Sequence, residues 1–255
     1  MGIFYLKHKK VTHPCSQSKK CQFKKECSEF YPFPIHEEMI NVVQSKTIKY
    51  FAENEVNIII IRNYQPTDET SWLRCRVLSF LDTAYFDNVL RQKEIYENPS
   101  IELVAVEGDQ VVGLLDLEYE LKERTVCSRG EGLGGMIWHI AVHPDYRRKG
   151  IGHLLLEEAE KQAKEKKINR LEAWTRDDEW VNKWYQSNHF ENVDSYLQVF
   201  VDSGDEMKEA LSSSIAEFYP VQGFAHYVGD DQETIKKTFK RVHECICFEK
   251  KLIKE

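Results

Sequence analysis

The sequence lacks the long apolar runs that would place it in a membrane. No stretch approaches the roughly 20 apolar residues that a transmembrane helix needs, and the opening residues, MGIFYLKHKK, hold too short an apolar run for a secretory signal peptide. Leu6 stands where the myristoylation pattern that begins at Gly2 requires Ser or Thr. With 42% hydrophobic and 30% charged residues, the composition predicts a soluble globular protein without a membrane partner, and we expect it in the cytoplasm.

Paired cysteines, repeats and an excess of positive charge are also missing. The seven cysteines are odd in number and follow no export signal, so they are better interpreted as reduced thiols than as a disulfide framework. No internal repeat or low-complexity tract interrupts the chain. The net charge of −7 argues against a general nucleic-acid binder.

The charge is nevertheless uneven, because residues 1–27 contain seven lysines and one glutamate, a net charge of +6 that leaves −13 for the rest. Four candidate zinc ligands lie in this basic arm: His13, Cys15, Cys21 and Cys27. Three thiolates and one imidazole can form a closed tetrahedral site. The spacing C-x5-C-x5-C departs from that of most zinc modules, and His36 is a rival fourth ligand. The alternatives are a flexible arm with reduced cysteines and a zinc-dependent contact with nucleic acid.

The pattern divides the chain into two parts, residues 1–56 and residues 57–255. In the first part, the basic arm is followed by HEEMINVVQSKTIKYFA, residues 36–52, whose apolar positions fall on one helical face and predict a helix. The second part begins with VNIIIIRNY, a short β-branched run typical of a buried strand. PTDETSWLRCR follows, with the acidic first turn that is typical of a helix start.

The rest of the second part alternates strands and helices. IELVAVEGDQVVGLLDLEYE predicts a hairpin that turns at Gly108. MIWHIAV, residues 136–142, predicts a strand, and residues 151–166 have the periodicity of an amphipathic helix. NRLEAWT, DSYLQVFV and HECICFEKKL predict further strands, and DDEWVNKWYQSNHF predicts a short helix. We therefore expect an α/β (α+β) domain with a mixed sheet, one strand–loop–helix crossover at its centre and a small N-terminal appendage.

The crossover carries a pattern that suits an anion. Between the strand MIWHIAV and the next helix lie DYRRKG and IG, which contain two arginines, a lysine and two glycines. A helix start leaves backbone N–H groups without partners and a partial positive charge, and glycines let those groups approach a ligand closely. The sequence therefore predicts a site for a phosphate or pyrophosphate at residues 147–152.

Three phosphate-binding patterns compete for this loop. A Walker loop requires Lys after its last glycine, but Gly152 is followed by His153. A dinucleotide fingerprint requires a third glycine where Leu155 stands. The remaining pattern, R-x-x-G-x-G after a strand that ends in IAV, closely resembles the acyl-CoA signature of the GNAT superfamily of N-acyltransferases. The alternative is a basic turn with ordinary glycines.

The resemblance covers about residues 58–252 and implies a fold and a ligand. The fold would be the GNAT fold, a mixed, mostly antiparallel central sheet flanked by helices, and the ligand would be acetyl-CoA. The pantetheine arm would pair like an added strand with the backbone of Ile140, Ala141 and Val142. The pyrophosphate would lie on Arg147, Arg148, Lys149, Gly150, Ile151 and Gly152.

A second element of the resemblance is a helix with a tyrosine that ends in a glycine–phenylalanine pair. NKWYQSNHF supplies Tyr185 and Phe190, with His189 in place of the glycine. Asp178 stands where relatives often have an asparagine near the pantetheine. The resemblance implies that Tyr185 is the general acid that protonates the departing thiolate. On the residues alone, the alternative is a tyrosine in helix contacts.

Transfer of an acetyl group to an amine also requires that the amine lose a proton. His139 is a candidate base, because the ordinary pKa of histidine, about 6.5, lies near working pH. A structural histidine is the alternative. Glu118, Glu120 and Glu131 are further candidates that would act through a water, and some relatives use no dedicated base.

The sequence therefore predicts an N-acetyltransferase that transfers an acetyl group from acetyl-CoA to a primary amine. Transfer of a longer acyl group, or a catalytically inactive CoA-sensing or partner-binding module, are the alternatives. A small amine, an antibiotic, a peptide N-terminus and a lysine are all open as acceptors. Acceptor pockets come from variable loops, here residues 64–100 and 203–242. The oligomeric state is open as well, with a dimer among the alternatives.

The zinc interpretation of the basic arm predicts the metal content of the protein. If the four candidate ligands hold zinc, purified protein should contain about one zinc per chain, and Cys21→Ser should remove it because a closed site needs all four ligands. Elemental analysis of both forms measures this. Metal-free protein with an ordered arm would contradict the interpretation.

Overall fold

The computed structural model describes residues 46–52, 55–202, 204–210 and 213–252. In these residues one sheet contains nine strands: β1 (Lys46–Ala52), β2 (Glu55–Asn63), β3 (Ser100–Glu107), β4 (Gln110–Tyr119), β5 (Gly134–Val142), β6 (Arg170–Thr175), β7 (Glu191–Val201), β8 (Gly223–Tyr227) and β9 (Arg241–Lys251). The α-helices of the same residues are α1 (Glu69–Phe80), α2 (Ile151–Glu165), α3 (Glu179–Ser187), α4 (Gly204–Ala210) and α5 (Gln232–Thr238).

The strands lie in the order β1-β2-β3-β4-β5-β6-β9-β7-β8. Neighbouring strands in the described residues are antiparallel except β5 and β6, which are parallel and joined by α2. A parallel pair needs a crossover connection, and the helix predicted at residues 151–166 supplies it. The expected mixed, mostly antiparallel sheet with one central crossover is confirmed.

Residues 46–52 correct one prediction. The helix expected over residues 36–52 is wrong at its C-terminal end, where Lys46–Ala52 forms β1 and pairs with β2. The stretch TIKYF is rich in β-branched and aromatic residues, and pairing with a neighbouring strand decides the structure where the spacing also fits a helix. The sheet therefore begins within the part of the chain that the sequence assigns to the N-terminal arm. Residues 36–45 lie outside the described residues.

Two helices cover opposite faces of the centre of the sheet. Ile151 of α2 lies in a core cluster with Leu115 of β4, and Trp72 of α1 lies in a second cluster with Leu114 and Ala141. Leu114 and Leu115 are neighbours on one strand, and side chains alternate across a strand, so the two clusters occupy opposite faces. β5 is consequently covered by a different helix on each face.

The start of α2 lies unusually close to β4. A Cβ on Gly113 would lie 2.8 Å from Ile151 Cγ2 and 3.1 Å from Leu155 Cδ1, closer than side chains normally approach. Gly113 pairs with Val142, the last residue of β5. The missing side chain at Gly113 therefore allows the first turn of α2 to lie against the sheet next to the end of β5.

Gly113→Ala should destabilise the fold by about 1–3 kcal/mol, because the added methyl group forces α2 away from β4 or shifts its side chains. Urea unfolding of the variant and the parent protein measures this difference. Gly204→Ala is the matched control, since a Cβ at Gly204 meets nothing within 4 Å. It should change the free energy of unfolding by less than about 1 kcal/mol, in the stabilising direction. Equal effects of the two substitutions would contradict the close approach of α2.

Candidate active site

β5 and β6 separate before β5 ends. Their parallel pairing runs from Gly134↔Arg170 to Ile137↔Ala173, whereas β5 continues to Val142. On its other edge, β5 stays paired with β4 as far as Val142. Among the described strands, the edge of β5 that faces β6 is therefore unpaired after Ile137, which leaves a gap between two adjacent strands.

One hydrogen bond determines which backbone groups face this gap. His143 N donates to Val112 O of β4 at 2.9 Å, so the backbone of His143 faces β4. Alternate residues of a strand turn their N–H and C=O groups to the same edge, so Ala141 also faces β4, while Ile140 and Val142 face the gap. Two of the three residues expected to pair with pantetheine thus present backbone groups to the gap, and Ala141 does not.

The chain leaves β5 through a short 3-10 helix, Pro144–Tyr146, and reaches α2 through a basic loop, residues 147–150. Arg148 and Gly150 adopt left-handed backbone conformations, with φ of +64° and +79°. Gly150 is the N-cap of α2, offers no side chain to cap the first turn, and would carry a Cβ that meets nothing within 4 Å. The start of α2 therefore has no side-chain cap and has open space beside Gly150, as the predicted anion site requires.

The three cations of the basic loop differ in their surroundings. Arg147 Nη1 donates to Asp82 Oδ2 at 2.7 Å, and Arg147 Nη2 donates to Ser79 O at 2.9 Å. Lys149 Nζ lies over an aromatic ring of the preceding turn, 4.6 Å from its centre. Arg148 is exposed. Arg147 therefore holds the loop against the end of α1 and shares its charge with Asp82.

Tyr185 lies in the last turn of α3 and is buried in the core cluster that α2 covers. Its ring stacks on Phe248 with 5.1 Å between ring centres and meets the edge of Phe190 at 5.2 Å. Burial raises the pKa of Tyr185, so the phenol is protonated at neutral pH. Ile140 and Val142 pack against the same cluster. The expected general acid is thus on the face of the sheet that α2 covers, with the side chains of the strand beside the gap.

The turn after α3 has a left-handed backbone conformation, which glycine usually adopts, at a residue that is not glycine. His189, which replaces the glycine of the resemblance, has a φ of +65°. This conformation costs a residue with a side chain about 1–2 kcal/mol. The turn still forms, with Phe190 N donating to Tyr185 O at 3.1 Å. The replacement therefore leaves the position of Phe190 beside Tyr185 intact.

His139 lies on the opposite face of the sheet, against α1. Its ring centre is 5.7 Å from that of Trp72 and 6.5 Å from that of Phe80. His139 Nε2 forms a hydrogen bond with Glu94 Oε2. The sequence did not indicate Glu94, because it lies 45 residues from His139 in a segment with no regular pattern. The expected acid, Tyr185, and the expected base, His139, thus lie on different faces of the sheet.

The other candidate bases on this strand pair accept hydrogen bonds from the protein itself. Glu118 accepts from Asn98 N and from Trp138 Nε1, both at 2.8 Å. Glu120 accepts from Gly134 N at 2.8 Å and is buried. Glu131, the third alternative, is exposed in the loop before β5. Glu118 and Glu120 have structural roles as acceptors for N–H groups, which need such partners when buried.

Residues 81–99 connect α1 to β3 and lie across the His139 face of the sheet. Both carboxylate oxygens of Asp178, the N-cap residue of α3, accept from Ala84 N at 3.1 and 3.0 Å. Burial raises the pKa of Asp178. Arg76 Nη1 donates to Asn88 O at 2.8 Å. Asp178, expected near pantetheine, therefore binds this segment.

The candidate zinc ligands His13, Cys15, Cys21 and Cys27 lie outside the described residues. Within the described residues, no group of three or more His, Cys, Asp or Glu side chains is arranged to hold a metal ion. The same part of the chain contains no helix with the length and apolar character needed to cross a membrane.

Comparison with known proteins gives the family. The acetyltransferase (GNAT) family matches residues 62–190, half of the chain. An acetyltransferase from Sodalis glossinidius is 27% identical over 129 residues, which cover 50% of this chain and 81% of that protein. An acetyltransferase from Pectobacterium atrosepticum is 25% identical over 148 residues, which cover 58% of this chain and 89% of that protein.

Among solved structures, the ribosomal-protein-S18-alanine N-acetyltransferase from Escherichia coli is 12% identical, with a TM-score of 0.48 over 77% of this chain and 96% of that chain. The family match begins in β2 and ends just after α3, and it contains the gap, the basic loop and Tyr185. This chain belongs to the GNAT acetyltransferase family.

Proposed function

We propose that this acetyltransferase binds acetyl-CoA along the gap between β5 and β6 and transfers the acetyl group to a primary amine. One observation carries the proposal: the unpaired edge of β5 ends beside the open, uncapped start of α2. An extended polar arm fits the first feature and a pyrophosphate fits the second. Coenzyme A contains both groups, joined in this order.

The start of α2 suits a pyrophosphate. Backbone N–H groups at a helix start attract anions, aided by the helix dipole. Gly150 leaves open space beside these groups, and Arg148 and Lys149 add positive charge at the same turn. These residues would bind the anion directly, while Arg147 keeps the loop in position through Asp82.

The open edge of β5 suits the pantetheine arm. Ile140 and Val142 turn their backbone groups toward the gap, where the amides of pantetheine would pair as an added strand does. From the start of α2, the arm would run along β5 toward Ile137, where pairing with β6 closes the gap. The acyl end would then lie beside residues 138–140.

Acetyl transfer takes a proton from the amine nitrogen and delivers one to the departing sulfur. Tyr185 would deliver the proton, which its phenol carries at neutral pH. The pair of His139 and Glu94 would accept the proton that the amine loses, on the other face of the sheet. The amine approaches the acyl carbon from one side and the sulfur leaves from another. An acid and a base on opposite faces of the sheet therefore suit this reaction.

The position of Gly150 predicts how a substitution there changes coenzyme A binding. Coenzyme A at 100 times its Kd should stabilise the parent protein by about 2.7 kcal/mol, because it binds only the folded state. Gly150→Leu should remove this stabilisation, since the new side chain occupies the space next to the N–H groups of α2. Thermal unfolding with and without coenzyme A measures the effect.

Gly108→Leu is the control for backbone strain in this experiment. Gly108 also has a positive φ, of +55°, and also has nothing within 4 Å of a Cβ, but it lies in the turn between β3 and β4. Both variants should lose about 1–2 kcal/mol of stability. Only Gly108→Leu should keep the response to coenzyme A, and a full response in Gly150→Leu would contradict the proposed anion site.

The proposed role of Tyr185 predicts a separation of binding from rate. Tyr185→Phe should leave coenzyme A affinity nearly unchanged, because the ring keeps its contacts with Phe190 and Phe248. Turnover should fall by roughly 10²–10⁴-fold, the usual contribution of one acid–base group. Release of free thiol with an accepted amine gives kcat, and titration with coenzyme A gives the affinity.

A phenylalanine variant that retains more than about half of the parent kcat would remove Tyr185 from the mechanism. Binding of coenzyme A without thiol release for any amine would instead favour the inactive CoA-sensing or partner-binding module. Release of thiol from a longer acyl-CoA in preference to acetyl-CoA would favour the longer acyl group.

A further inference from the structure

Glu94 is the more accessible member of the pair that it forms with His139. The His139 side chain is 5% exposed, whereas that of Glu94 is 27% exposed. The carboxylate is therefore the part of this pair that a molecule from solvent reaches first. The hydrogen bond with His139 leaves the other carboxylate oxygen, Oε1, with no hydrogen-bond or ion-pair partner in the described part of the chain.

The neighbouring carboxylates of this face are bound by protein donors. Asp116 is fully buried, accepts from Tyr96 Oη at 2.9 Å and pairs with Lys93 Nζ at 2.8 Å. Glu118 accepts from Asn98 and from the Trp138 ring nitrogen. Glu94 is thus the carboxylate of this group that has both solvent exposure and an oxygen available to a ligand.

The charges around Glu94 keep it ionised. Burial raises the pKa of Glu94. The hydrogen bond with His139 and the positive charge of Arg76 lower it by a larger amount, so the pKa lies below its ordinary value. Burial also lowers the pKa of Arg76 to about 10, which leaves the guanidinium charged at neutral pH. Behind His139, the charge of Lys93 is balanced by Asp116 and Glu102 at 2.8 Å each.

The position of His139 connects this carboxylate to the reaction. His139 is the second residue of β5 after its pairing with β6 ends at Ile137. Under the proposed function, this is the level of the gap at which the acyl group lies. A carboxylate held by His139 therefore lies on the α1 face, at the level of β5 where the acyl group would lie.

We propose that Glu94 binds the ammonium group of the acceptor and that His139 acts as a positioning residue, which holds the carboxylate in place. Alkylamines, which are protonated at neutral pH, should then be better acceptors than aromatic amines, which are uncharged. A hydrogen bond between ionised partners is about twice as strong as a neutral one, which suits selection of a cation. The proposal rests on the proposed function, because it uses the position of the acyl group.

Steady-state kinetics with a charged and an uncharged amine test this role. Benzylamine, 1,4-diaminobutane and a lysine-containing tetrapeptide are charged probes at pH 7, and aniline is an uncharged one. With saturating acetyl-CoA, Glu94→Gln should raise the KM of the best charged probe by roughly 10- to 100-fold, the usual effect of a lost hydrogen bond to a charged group. Its kcat should change less than its KM, and the KM of aniline should not change.

Glu97→Gln is the matched control, since Glu97 is an exposed glutamate on the same segment. It should leave both KM values unchanged. His139→Gln keeps an N–H that can donate to Glu94 and should raise the KM of the charged probe less than His139→Leu does. Equal effects of these two variants would overturn the positioning role.

The possible failures are distinguishable. If the parent protein releases thiol with a charged amine and Glu94→Gln leaves its KM unchanged, Glu94 does not bind the acceptor and the proposed function stands. If Glu94→Gln raises the KM of aniline equally, the role of Glu94 is structural and the proposal is overturned. No thiol release by the parent protein with any of the four amines would overturn this proposal and the proposed function together.

Discussion

The parallel pairing of β5 with β6, and the point where it stops, controls the rest of the site. Parallel strands need a crossover, and in this sheet the crossover is α2, which must begin where β5 ends. The positive end of α2 therefore lies at the wide end of the gap that opens after Ile137. Gly113 allows the first turn of α2 to lie against the sheet at this point. The crossover that a parallel pair requires thus places a site for an anion at the end of a groove for an extended arm.

Local patterns predicted the parts of this arrangement that depend on neighbouring residues. The strand before the basic loop, the glycine at the start of α2 and the tyrosine in α3 all depend on short stretches of sequence. Pairing between distant strands was not predictable in the same way. The gap depends on the register between β5 and β6, and β1 depends on pairing with β2, which overrides a helical spacing. Residues 203–242, which the sequence assigns to a variable loop, contain α4, β8 and α5.

The contacts of individual side chains were also not predictable from local sequence. Arg147 matches the motif, but its guanidinium is bound by Asp82 and the end of α1. Asp178 matches a position near pantetheine, but its carboxylate binds the backbone of Ala84. Glu94 matches no motif, and its contact with His139 joins positions 45 residues apart. A sequence motif predicts the local conformation of the backbone. The partner of a charged side chain depends instead on the tertiary fold.

The two sides of the gap use different chemistry. On the side proposed for coenzyme A, the groups are mainly backbone N–H and C=O, whose positions are set by the sheet and by the start of α2. On the side proposed for the acceptor, residues 81–99 lack regular secondary structure apart from turns and are held by side-chain contacts such as Lys93 with Asp116 and His139 with Glu94. Buried charges require such partners, so each contact also fixes the path of the segment. Substitution can change side chains without changing the sheet, and the choice of acceptor is therefore the property that this fold can vary while the site for coenzyme A stays the same.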